Sequence, residues 1–190
     1  MFKSINPYMY VRKFDSERKF VKTMTKDSLF IVDNKMDLLQ KSYLTAGLNL
    51  EFITFKFKNH LPFKVKVPIV GQYNIARLDS LSGGDNLQST TYGAGLVFAF
   101  KKTNNFGLNV GAMFFNNHHL YNSTKKIKKI EDFQTIRITS EMFFYPNSKN
   151  KKGAIFLRLN FNASLEKDIP NSYLQLQFGY KADLNFTPKK

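Results

Sequence analysis

The sequence predicts an all-β, antiparallel fold of about eight long strands, and three observations predict it. Apolar residues alternate with polar or small ones from about Lys41 onward. Several of the alternating runs are about 11 to 14 residues long, against ~5–6 for an average strand in a soluble protein. The connections between the runs alternate in length.

Residues 1–41 are the least regular. They carry two candidate strands, at 8–14 and 28–32, of which one is expected to form; residues 42–190 are read as the main strand-bearing unit. In 42–57 one face carries Leu44, Ala46, Leu48, Leu50 and Phe52, then the phase slips to Phe55 and Phe57, which predicts a β-bulge near Ile53–Thr54. In 63–74 Phe63, Val65, Val67, Ile69 and Tyr73 share a face, and Pro68 removes one ladder donor, which predicts a bulge or an open seam. In 92–100 Tyr92, Ala94, Leu96, Phe98 and Phe100 lie opposite Gly93, Gly95, Val97 and Ala99. The runs 106–116, 133–145, 153–165 and 173–186 repeat the alternation. Strand side chains point alternately to opposite faces, so each run has one greasy face and one smaller or more polar face. No helical period competes; the nearest stretch is 125–132, short and basic.

Runs of this length are long enough to cross a bilayer at a tilt, which takes ~9–11 residues. The expected connections are 58–62 (short), 75–89 (long), 101–105 (short), 117–132 (long), 146–152 (short) and 166–172 (short). Counting back from a C-terminus on the periplasmic side puts both long connections outside the cell, the asymmetry of outer-membrane barrels. The predicted fold is therefore an antiparallel transmembrane β-barrel of about eight strands. Small residues Gly93, Gly95, Ala99, Gly107 and Gly111 share a face with Arg137 and Glu141, as needed to fit long side chains inside a narrow barrel.

The alternating aromatic-rich strands and the closing Tyr173-Leu-Gln-Leu-Gln-Phe-Gly-Tyr-Lys-Ala-Asp-Leu-Asn-Phe186 resemble a small outer-membrane β-barrel protein of Gram-negative bacteria. The resemblance spans about residues 42–186. It implies a cell outer-membrane location, a last strand ending on an aromatic residue (here Phe186) and a non-enzymatic structural, adhesive or accessory role. It implies membrane lipid, lipopolysaccharide and other outer-membrane proteins as partners. The first residues, Met1 to Pro7, hold no apolar core of a signal peptide, so a mature or trimmed form is expected. Two alternatives stay open. One is a narrow pore or the C-terminal part of a larger transport barrel. The other is a soluble lipocalin-like ligand carrier with its greasy face inward.

The candidate site is a charge cluster on the polar face: Arg137, Glu141, Arg158, Lys181 and Asp183. Pairing 133–145 with 153–165 sets Glu141 opposite Arg158, and pairing 153–165 with 173–186 sets Arg158 opposite Gly179, with Gln177 and Lys181 diagonal. Buried charges must be paired and hydrogen-bonded, so the cluster is expected to plug the interior. No catalytic residue, metal site or cofactor is expected. The chain has no cysteine, and His118-His119 reads as a solvated loop pair with too few ligands nearby. Ser82-Gly-Gly-Asp85 lacks the helix a phosphate loop requires. The formal charge is +15. Its clusters, Lys125/126/128/129 and Lys149/151/152, sit apart from the strand aromatics, which excludes interleaved nucleic-acid recognition. Anionic headgroups and lipopolysaccharide phosphates are the expected counter-ions, with a plainly solvated basic surface as the alternative.

Overall fold

The computed structural model of the protein describes residues 4–11, 20–26, 29–56, 63–79, 86–100, 105–120, 130–146, 153–166 and 172–182. In chain order these form β1 (Ser4–Val11), β2 (Thr23–Lys26), β3 (Leu29–Val32), α1 (Lys35–Gln40), β4 (Ser42–Lys56), β5 (Phe63–Arg77), β6 (Asn86–Phe100), β7 (Phe106–Leu120), β8 (Phe133–Phe144), β9 (Gly153–Ser164) and β10 (Ser172–Ala182). One antiparallel sheet has the order β1-β4-β5-β6-β7-β8-β9-β10, and β2 pairs with β3 in a separate hairpin. Among the described residues β1 and β10 are the two edges of the large sheet.

The strands are longer than the sequence reading made them. β5 reaches Arg77 and β6 begins at Asn86, so the first long connection is 78–85 rather than 75–89. β7 reaches Leu120, so the second is 121–132. The reason is that alternation stops before pairing does. Asn116, Asn117, His118 and His119 are polar on both faces, yet they continue the ladder opposite Tyr92, Thr91, Thr90 and Ser89 of β6. Residues 1–41 hold three strands and a helix, not one strand. The 8–14 strand is β1 as far as Val11, and residues 12–14 lie outside the described residues. Of 125–132, residues 130–132 are not helical, and 125–129 lie outside the described residues, as do 183–190 with Phe186.

Two local expectations hold. The β4–β5 register shifts between Glu51 and Ile53, placing the bulge at Phe52. The β5–β6 ladder passes from Lys66–Val97 to Ile69–Ala94, leaving an open seam at Pro68. Pro68 lacks an N–H to donate there.

Burial on the large sheet is inverted. The apolar face is exposed: Leu159, Phe161, Leu174, Leu176, Phe178 and Phe114 all lie there. The polar face is covered: Thr45, Asn74, Thr91, Asn117, Glu141, Asn160 and Asn162 are buried. Curvature accounts for this. Met36 and Leu39 of α1 pack with Phe133 of β8 and Tyr173 of β10, while α1 runs directly into β4. In a flat sheet β4 and β10 would stand six strand spacings apart, about 29 Å. A helix the length of α1 spans about 9 Å. The sheet therefore curls with its polar face inward.

Candidate functional site

Cross-strand register assembles the polar face into rows. The lowest joins β7 to β10 through Asn109, Glu141, Arg158 and Gln177, each directly opposite the next. Arg158 Nε donates to Glu141 Oε1 at 2.9 Å, and Nη2 bonds the same oxygen. Asn109 Nδ2 donates to Glu141 Oε2 at 3.3 Å. Arg158 Nη1 donates to Gln177 Oε1 at 3.2 Å, and its guanidinium lies over the Phe156 ring. The buried carboxylate thus has three donors, and the guanidinium has a carboxylate, an amide and a ring.

The Glu141–Arg158 pairing follows the expected register, and the pairing of Arg158 with β10 departs from it. Arg158 faces Gln177, not Gly179, which lies opposite Phe156. The strand β10 pairs two residues out of the expected register: its first residue, Ser172, lies opposite Ala163, where the expected register sets it opposite Leu165. Lys181 lies opposite Ala154, four residues from Gln177. That is ~13 Å along the strand, so the backbone register sets Lys181 two same-face steps beyond the row of Arg158 and Gln177. Asp183 lies outside the described residues.

Arg137 forms its own centre, four residues from Glu141 on β8. Its Nε donates to Asn162 Oδ1 at 2.8 Å, and its guanidinium lies 4.4 Å from the centroid of the Phe115 ring. Two glycines of β6 make this seat. A Cβ on Gly93 would come within 2.5 Å of Phe115 Cδ1, and one on Gly95 within 2.6 Å of Met113 Cγ. The small residues therefore admit Phe115 and Met113, and Phe115 carries the arginine. Between the two arginine centres, Thr139 Oγ1 donates to Asn160 Oδ1 at 2.9 Å, and Asn160 Nδ2 to Gln175 Oε1 at 3.5 Å.

A second network crosses five strands. Thr45 donates to Asn74 at 2.9 Å, Asn74 to Thr91 at 3.2 Å, Thr91 to Asn117 at 2.9 Å, and Asn117 to Thr135 at 3.1 Å. Each hydroxyl or amide passes the chain on, so the polar atoms are satisfied where they are buried. No single strand reveals this network, because each member's partner lies on the next strand.

A cap closes the end of the polar face above this network. Asn34 starts α1 by accepting from Met36 N at 2.9 Å, and Asp37 supplies the acidic first turn. Leu38 enters an apolar cluster with Val21, Val32, Ala76, Leu78, Leu87 and Ile130. Val21 N donates to Arg77 O at 2.9 Å, Asp79 N to Val21 O at 3.0 Å, and Thr23 donates through N and Oγ1 to the Asp79 carboxylate. Lys35 reaches Glu131 and Glu166, at 3.8 and 3.9 Å. The β2–β3 hairpin and α1 are thereby fastened to β5, β6, β8 and β9.

His118 and His119 belong to β7 and not to a loop. His118 Nδ1 is 2.7 Å from Asp132 Oδ1. His119 turns to the polar side, is buried, stacks on Phe133, and has no hydrogen-bond partner for either ring nitrogen among the described residues. No group of three metal-ligating side chains occurs among the described residues. Ser82-Gly-Gly-Asp85, Lys125/126/128/129 and Lys149/151/152 lie outside the described residues.

Comparison with protein-family models, curated proteins and solved structures gave no match.

Proposed function

We propose that the protein is a non-enzymatic outer-membrane β-barrel of eight strands, filled by its own polar side chains, with a structural, adhesive or accessory role. The inverted burial carries this reading. Leu174, Leu176 and Phe178 are 67%, 63% and 76% exposed while Asn160 and Asn162 are 5% and 3% exposed. In water such a sheet would forfeit most of its hydrophobic stabilisation, at ~25 cal/mol per Å² of apolar surface left exposed. In lipid the same face is solvated.

The dimensions fit a bilayer. The outward apolar run on β6 goes from Tyr92 to Phe100, and on β7 from Phe106 to Phe114. Eight residue steps cover about 26 Å along a strand, and roughly 20 Å at a 40° tilt, near the ~25 Å band of such barrels. With eight strands in strict antiparallel order, β1 and β10 run in opposite directions and can close the sheet on each other. Closure removes the two edges, which lipid does not tolerate. The connections 12–41, 78–85, 121–132 and 165–171 share one end, which this reading places outside the cell.

The filled rows favour a closed barrel over a conducting one. A second reading, one arc of a larger transport barrel, draws on the two unpaired edges. Folding tests both against the soluble alternative. The protein should fold as a monodisperse monomer in detergent micelles, with an unheated form that migrates faster than the boiled form on SDS gels. A monomer that is equally well folded in detergent-free buffer would overturn the membrane reading. Unit conductance steps in planar bilayers would select the pore.

A further inference from the structure

The polar face meets its cap at a histidine. His119, near the end of β7, is 6% exposed. Its ring stacks on Phe133, with centroids 5.6 Å apart and 10° between the planes. Phe133 packs in turn with Met36 and Leu39 of α1, so contact runs from His119 through Phe133 to the helix. Neither ring nitrogen of His119 has a hydrogen-bond partner among the described residues. A protonated imidazole carries a donor on both nitrogens, and a buried charge without a partner is costly. The closed cap therefore seats the neutral ring and not the charged one.

The charged groups around the ring come from three elements. Asp132, just ahead of β8, favours the charged ring, while His118 of β7 and Lys35 of α1 oppose it. Asp132 already meets His118 Nδ1 at 2.7 Å. Lys35 is held by Glu131 and Glu166 at 3.8 and 3.9 Å. Ser89, opposite His119 on β6, and Phe133 are uncharged. Lys125, Lys126, Lys128 and Lys129, on the connection that follows β7, lie outside the described residues. His119 lies beyond Phe114, where the outward apolar run of β7 ends, and so outside the membrane-spanning part of the strand. Burial is the largest influence on it and lowers its pKa from 6.5 to about 4.

We propose that proton uptake by His119 releases α1 from the end of the sheet, so that the cap is an acid-operated latch. A proton on His119 adds a second cation facing Lys35, in a seat that offers neither nitrogen an acceptor. Released, the ring meets water and takes a proton near pH 6.5; latched, it does so only near pH 4. The latch is at full strength above pH 6.5, weakens as the pH falls towards 4, and changes no further below that. The full change is on the order of a hundredfold in the ratio of closed to open cap. The latch rests on the cap and not on the membrane reading. On that reading the cap faces outside, and the acidity of the medium operates it.

Amide exchange in the folded protein tests it, at about pH 7.5 and about pH 4.5, with rates corrected for the intrinsic pH dependence of exchange. The experiment runs equally in micelles or in buffer. Protection of α1 and of the Lys41 amide, which donates to Asp37 O at 2.7 Å, should fall by tens of fold at the lower pH. Protection of β7, β8 and β9 should not. Acidification also reaches the carboxylates of Asp132, Glu131 and Glu166. His119→Phe keeps an aromatic ring against Phe133 and leaves every one of these charged groups in place, and it should hold α1 protected at both pH values. In the unaltered protein the His119 Hε1 resonance gives a second measurement, and its midpoint should coincide with the loss of α1 protection. Unchanged α1 protection in the unaltered protein, an equal loss in His119→Phe, or a ring that titrates while α1 stays protected overturns the latch. Loss of protection in β7 to β9 together with α1 also overturns it, because acid then unfolds the whole sheet.

Discussion

Glu141 and Arg158 stand directly opposite each other on β8 and β9, and the guanidinium Nε donates to the carboxylate at 2.9 Å. Asn109 and Gln177 extend the pair on either side. Breaking a buried pair by removing one partner costs about 3–5 kcal/mol, because the other charge is stranded. Glu141→Gln and Arg158→Met should each destabilise the protein on that scale in detergent unfolding. The double variant should cost clearly less than the two added together. Additivity within ~0.5 kcal/mol would mean that the two side chains do not interact.

Gly93 and Gly71 should respond in opposite ways to a side chain. A Cβ on Gly93 would sit 2.2 Å from the Phe114 carbonyl oxygen and against the Phe115 ring. Gly93→Val should cost about 1–3 kcal/mol by overpacking and should shift the Phe115 and Arg137 resonances. Gly71 has nothing within 4 Å of its Cβ position. Gly71→Ala should be neutral or slightly stabilising through the unfolded chain. Equal costs at both positions would contradict the seat built for Phe115.

The pairing of Glu141 with Arg158, the bulge at Phe52 and the seam at Pro68 were legible in the sequence because each lies inside the apolar belt. There one face is greasy and the other is not, so parity and register can be read off. Beyond the belt both faces turn polar, as in Gln88-Ser-Thr-Thr91 and Asn116-Asn-His-His119. The strands go on pairing there without any alternation to reveal them, which is why the histidines read as loop. Helix α1 covers 35–40, under two turns, too short for a 3.6-residue period to appear. Its cap was a usable signal: Asn34 and Asp37 bracket the first turn, just before Leu38-Leu39. The β9–β10 register failed by two residues because connection length does not fix how many residues a turn leaves unpaired.

The cap should loosen without unfolding the sheet. Leu38 is 1% exposed in the cluster that joins α1 to Ala76, Leu78 and Leu87. Leu38→Ala should remove about 2–5 kcal/mol of packing. Amide exchange should accelerate in 20–41 and stay unchanged in β7, β8 and β9, as expected of separate cooperative units. On the proposed reading ion conductance should be absent from parent and variant alike, because the polar rows below the cap are untouched. Uniform acceleration across β7 to β9 would show that cap and sheet unfold as one.

Asn86 and Asn105 lie at opposite ends of the sheet, Asn86 beginning β6 and Asn105 just ahead of β7. The chain has no native cysteine, so single replacements report cleanly. In cells that export the protein, Asn86→Cys should react with a membrane-impermeant maleimide and Asn105→Cys should not until the envelope is opened. The reverse pattern would invert the orientation.

On the proposed reading the apolar face meets lipid and the polar face does not. Leu176 and Gln177 are adjacent on β10, 63% exposed and half-buried on opposite faces, and the chain has no native tryptophan. Single Leu176→Trp and Gln177→Trp variants, folded into vesicles with brominated acyl chains, measure contact with lipid one side chain at a time. The expected result is blue-shifted emission strongly quenched by bromine for Leu176→Trp, and little quenching for Gln177→Trp. Equal quenching at both positions, or quenching at neither, would contradict the inside-out barrel.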